Sequence, residues 1–74
     1  MNADIHKLKT IMYERKMTQL EMAKLLKINR GTLLRRLKHG GVNLTLGNIY
    51  IIIGALKMTD DEIKEVFFAK QKQD

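Results

Sequence analysis

For most of the 74 residues, apolar positions return every three or four residues, the spacing of a helix with one buried side. Ile5, Leu8, Ile11 and Met12 do so across 3–16, with Lys7, Lys9 and Arg15 on the other side, which predicts a first, structural helix. Asn2 or Asp4 is placed to cap its start, and Asp4 also suits the positive end of its dipole. Met17 follows as a gap-filler between helices. Thr18 with Glu21 three residues on is a reciprocal capping box that opens a second helix. Leu20, Ala23, Leu25 and Leu26 are expected to form its buried side. Lys27-Ile28-Asn29 interrupts the pattern, with Ile28 as an apolar plug and Asn29 as the N-cap of the next element. A third helix then runs from Arg30 to about His39. It buries Leu33 and Leu37 and turns Arg30, Thr32, Leu34, Arg35, Arg36 and Lys38 elsewhere.

Gly40-Gly41 reads as a helix stop and loop, and VNLTLGNIYIIIGAL after it supports two readings. As a β-hairpin, Val42, Leu44 and Leu46 alternate with polar residues, Gly47-Asn48 makes the turn, and Ile49–Ile53 is rich in strand formers. As a helix over 46–57, Thr45 is the cap and Leu46, Ile49, Ile52, Ile53 and Leu56 share the core side. The helical reading is preferred, because the rest of the chain is helical. Thr59 with Glu62 is a second capping box, strengthened by Asp60 and Asp61, for a last helix through about Lys70. Ile63, Val66 and Phe67 face its core side. Phe68 does not, sharing a side with Lys64 and Lys72, and Gln71–Asp74 is expected to fray. The pattern predicts an all-α fold: one domain over 1–74, a compact bundle of about five short helices with a helix-turn-helix in helices 2 and 3.

Charge sharpens this picture. The net charge is +6, yet no Asp or Glu occurs between Met22 and Thr59, an interval that holds Lys24, Lys27, Arg30, Arg35, Arg36, Lys38 and Lys57. A basic surplus confined to the helix-turn-helix and its flank is the electrostatic footprint of nucleic-acid binding, against the blander reading of a cationic solvated face. Other chemistries lack residues. There is no cysteine, so no disulfide, thiolate or zinc-finger spacing, and His6 and His39 stand far apart without ligand neighbours. No Ser/His/Asp set, paired carboxylate or phosphate-cradling glycine loop points to an enzyme, and no cofactor is implied. No apolar run approaches a membrane span and the start is not a signal peptide, so the cytoplasm is the default.

Residues 17–40 resemble the helix-turn-helix of the Cro and phage-repressor-like regulators. The likeness rests on Thr18-Gln19, Ala23, Ile28-Asn29, Leu33 and a following glycine. The segment 60–70, DDEIKEVFFAK, resembles the close of small phage-encoded members, and the two regions together bring most of 5–70 into the likeness. Two departures stand out. The family usually has glycine where Lys27 stands, so Lys27 either adopts an unusual turn conformation or the turn differs. Gly40 also falls one residue later than usual. The resemblance implies a fourth helix in the ambiguous segment. It also implies a sequence-specific duplex-DNA-binding regulator that occupies an operator in a bacterial host cell.

The candidate interface follows from helix 3. Arg30 and Arg35 are the candidates for base edges, since arginine pairs bidentately with guanine in the major groove. Thr32 and Leu34 would offer methyl groups to thymine, with Leu34 equally a candidate for the core. Arg36 and Lys38 are assigned to phosphates, where charge matters more than geometry. Gln19 at the first turn of helix 2 is a further phosphate contact; the resemblance adds that it braces the recognition helix. Asn43 and Thr45 sit where loop residues often bind phosphate. Lys9, Arg15 and Lys16 are expected to remain solvated. A second reading keeps the fold but makes it an antirepressor-like module that binds a repressor protein rather than DNA. The off-stripe apolar residues Ile51, Leu34 and Phe68 favour it. Ile51 and Phe68 are equally candidates for a homodimer contact, with Phe68 alternatively completing the monomer core if the last helix is rotated or short.

Overall fold

The structure, a computed structural model, describes residues 3–68. It is all-α, with α1 (Ile5–Glu14), α2 (Gln19–Leu26), α3 (Arg30–Lys38), α4 (Leu46–Leu56) and α5 (Asp60–Phe67), and no strand among the described residues. Each helix starts on a side-chain cap. Asp4 accepts from the Lys7 N–H, and Asn29 accepts from that of Thr32. Thr18, Thr45 and Thr59 open α2, α4 and α5 with reciprocal boxes closed by Glu21, Asn48 and Glu62. The box at Thr45 decides the ambiguous segment. Gly47-Asn48 is the first turn of a helix, with the Asn48 N–H on Thr45 Oγ1 at 3.0 Å and the Thr45 N–H on Asn48 Oδ1 at 3.1 Å.

The helix ends share a device as well. Lys16, Lys27 and Lys57 have φ of 59°, 60° and 52°, the left-handed conformation. After each, the N–H of Met17, Ile28 or Met58 reaches back to the carbonyl of Met12, Ala23 or Ile53, and these three apolar residues pack on or within the core. Lys16-Met17-Thr18, Lys27-Ile28-Asn29 and Lys57-Met58-Thr59 are therefore one connector used three times: a left-handed stop, a plug and the cap of the next helix. Of the two possibilities at Lys27, the unusual conformation is the one adopted.

After α3 the chain stops differently. Gly40 and Gly41 have φ of 70° and 72°, and the Gly41 N–H bonds the Arg36 carbonyl at 3.0 Å. A Cβ on Gly41 would lie 3.2 Å from Leu44 and 3.4 Å from Ala3 and Ile5, so the site suits glycine in both conformation and space. The N-terminal segment bonds both the turn after α3 and α5, Ala3 N–H to the Gly40 carbonyl and Asp4 N–H to that of Val66, both at 2.8 Å.

The core takes Leu8, Ile11 and Met12 from α1, Met22, Ala23 and Leu26 from α2, and Leu33 and Leu37 from α3. Leu44, Ile49, Ile52, Leu56, Met58, Val66 and Phe67 complete it. Ile53 and Ile63 are half-buried against this cluster. Two expectations are corrected. On α2, Leu20 and Leu25 are about half exposed and Met22 takes the buried place. At about 100° per residue, Met22, Ala23 and Leu26 share one side while Leu20 and Leu25 diverge to either flank. On α4, Leu46 is exposed, because a first-turn side chain leans back toward the helix start, past the surfaces that cover Ile49 and Ile52. α1 is shorter than the expected 3–16, α3 ends at Lys38 with His39 as its cap, and the expected run of α5 to about Lys70 extends outside the described residues. The expected fraying of 71–74 and the position of Lys72 lie outside the described residues.

Arg15 is not solvated as expected. Its Nη2 meets both Glu62 carboxylate oxygens at 2.9 and 2.8 Å, joining the end of α1 to the start of α5. Lys7 and Glu65 pair at 3.1 Å between the same helices. None of the described helices is long and apolar enough to cross a membrane.

Candidate nucleic-acid interface

α2 and α3 pack directly on one another, and this places the candidate residues. Leu33 is fully buried and Leu37 nearly so, which fixes the rotation of α3 about its axis. Arg35 then stands about 180° from the Leu33–Leu37 direction and is exposed, as are Arg30 and Lys38 at the two ends of the helix. Thr32 is half-buried, its N–H held 2.7 Å from Asn29 Oδ1. Leu34 is half-buried and outside the core cluster, so its side chain stays partly open to a ligand.

Gln19 begins α2 immediately after the Thr18 cap and is half-buried. With Thr18, Leu20 and Arg30 it lines one surface depression, which brings Gln19 and Arg30 together across the α2–α3 junction. Glu21, the last acid before the basic interval, is engaged in the cap. The Thr18 N–H, and then its hydroxyl, hold the Glu21 carboxyl below the usual range. A second, largely apolar depression beside it is lined by Lys9, Met12, Tyr13, Glu14, Lys16 and Met17, and again by Thr18 and Gln19.

At the other end of α3, Arg36 is half-buried and donates from Nη1 to Asn48 Oδ1 at 2.9 Å. This bond ties the helix to the first turn of α4. Asn43 lies exposed in the intervening turn. Thr45 is exposed, with its hydroxyl oxygen taken up by the α4 cap. The structure thus gathers Gln19 with Arg30 at one end of α3 and Arg36 with the Thr45–Asn48 turn at the other.

Asn48 escaped the sequence reading as a site residue. Its only signal was the Thr-x-x-Asn spacing, masked by Gly47-Asn48 as a hairpin turn. Ile51 is exposed on α4 and Phe68 at the end of α5, both as expected. Tyr50 and the uncovered Leu46 add apolar surface to α4, a helix without a charged residue. No group of three or more His, Cys, Asp or Glu suited to a metal ion occurs among the described residues. No protein-family model, curated protein or solved structure matches the chain.

Proposed function

We propose that this chain is a sequence-specific duplex-DNA-binding transcriptional regulator of the Cro/repressor type, with α3 as the recognition helix in the major groove. It acts in the host cytoplasm by occupying an operator and blocking or steering polymerase. One observation carries the reading. α3 buries Leu33 and Leu37 against the fold while Arg30, Arg35 and Lys38 stand exposed, all within an interval free of acids. Arg30 and Arg35 read base edges, with Thr32 and Leu34 beside thymine methyls. Gln19, Arg36, Lys38, Asn43 and Thr45 hold the backbone.

The test is a footprint of the purified protein on DNA flanking its own gene, followed by titration of the protected duplex against a scrambled one. Protection of a discrete site, bound at least about a thousandfold more tightly than random duplex, is the expected result. Equal weak binding to both duplexes refutes sequence specificity.

The exposed apolar side chains favour a second reading. Leu46, Tyr50, Ile51 and Phe68 are each at least 42% exposed, more large apolar surface than a nucleic-acid face needs. In this reading the chain is an antirepressor-like module that docks on a repressor's DNA-binding domain. Failure of the chain alone to retard any duplex, together with release of a repressor from its operator, would select it.

A further inference from the structure

Three helices open on a Thr-initiated box, and in two of them the closing residue also receives an arginine from elsewhere in the fold. Glu62 receives Arg15 at 2.9 and 2.8 Å, and Asn48 receives Arg36 at 2.9 Å. The two arrangements are alike in geometry and opposite in charge. The Glu62 carboxylate neutralises Arg15. The Asn48 amide oxygen accepts the same kind of bond and leaves the guanidinium positive. Both of its lone pairs are engaged, one by Arg36 and the other by the Thr45 N–H at 3.1 Å. Glutamate or glutamine is the usual closer of such a box, and an acid there would favour the helix dipole. Asparagine at 48 therefore forgoes some stabilisation of α4. What it keeps is the charge of Arg36.

We infer that Asn48 is a positioning residue of the candidate DNA interface: it holds the Arg36 guanidinium against the first turn of α4 with its charge intact for a backbone phosphate. The inference rests on the DNA-binding reading above. A tethered, half-buried arginine has less side-chain freedom to lose on binding than a free one, so the tether acts by preorganisation.

The test measures duplex affinity against salt for wild type, N48D, N48A, R36A and the double variant N48D/R36A, with a thermal melt of each. N48D keeps both the acceptor and the box, so its melting temperature should match or exceed wild type. Its affinity should fall about tenfold, with the salt slope reduced by about one unit, because Arg36 is neutralised where it sits. In the R36A background the same substitution should cost about threefold or less. N48A releases Arg36 but leaves its charge. Measured well below its melting temperature, it should lose about two- to tenfold in affinity with the slope unchanged. Wild-type affinity in N48D or N48A overturns the inference, and so does an equal N48D loss in both backgrounds, which would mean direct repulsion of phosphate. Wild type that binds no duplex is a separate outcome: it removes the regulator reading and the inference with it.

Discussion

A lysine in the left-handed region, as at Lys27, stores strain that glycine avoids, and the chain accepts this at Lys16 and Lys57 as well. The turn after α2 is legible in the sequence, because Asn29 and the apolar plug Ile28 mark it whatever residue precedes them. That a β-unbranched lysine would carry the conformation was not, since lysine has no preference that announces it. Lys27→Gly should therefore raise stability, by up to about 1 kcal/mol, as relief of strain outweighs the added freedom of the unfolded chain. Urea denaturation measures it, and a destabilised variant would show that the lysine stem contributes packing. The arginines of α3 divide by the same logic of placement. Arg30→Ala or Arg35→Ala should cost about 1–3 kcal/mol at the preferred duplex and relax base preference. Arg36→Ala or Lys38→Ala should weaken every duplex alike and flatten the salt dependence by about one unit of slope. Equal losses on specific and scrambled DNA for all four variants would remove the division of roles.

Helices were read from the sequence wherever a cap and a period agreed. Thr18–Glu21 and Thr59–Glu62 fixed two starts, and Leu33 with Leu37 set the rotation of α3. Hydrophobicity alone misplaces the buried side of α2, where the angle about the helix axis decides. Leu20 and Leu25 are more apolar than Met22, yet Met22 shares the side of Leu26 and Ala23, the buried side of a helix packed on α3 and α4. Within 42–53 the two periods overlapped, and only the closed box at Thr45 separates them. The same boxes make the element ends sensitive to acid. The Glu62 carboxyl is held below its usual range by the Thr59 N–H first and the Arg15 guanidinium second, and Glu21 by Thr18. A carboxyl whose pKa is depressed on folding contributes stability that is present above its unfolded value and lost as pH falls through the folded one. Melting temperature should therefore decline on acidification below about pH 4. Glu62→Gln should lower it at neutral pH and make its decline shallower. A Glu62→Gln acid profile parallel to that of wild type would show that the carboxylate contributes nothing.

At the scale of the whole molecule, charge and apolar surface separate in ways that only the fold reveals. The Arg15–Glu62 and Lys7–Glu65 pairs bring basic residues of α1 to acids of α5, contacts that no local spacing announces. They occupy Glu62 and Glu65, while 22–59 stays without acids and α3 stays cationic. The apolar counterpart is the surface left at Phe68, 59% exposed, and Ile51, 42% exposed. Phe68 caps the end of α5, with its N–H on the Lys64 carbonyl and its ring outside the core that Phe67 completes. Large apolar side chains gain about 1.5–3 kcal/mol each on full burial, which favours covering them. A regulator that reads two half-sites needs a two-fold contact to set their spacing. Self-association through Phe68 or Ile51 would satisfy both demands. Sedimentation should then give a species of twice the 8.6 kDa chain mass for wild type, and a folded 8.6 kDa monomer for Phe68→Ser or Ile51→Ser. Because neither residue belongs to the core cluster, both variants should retain the helical circular dichroism of wild type. A monomeric wild type would exclude the two-fold contact in free protein and leave Phe68 and Ile51 to a partner. An unfolded Phe68→Ser would mean that the ring supports the end of α5 from outside the core.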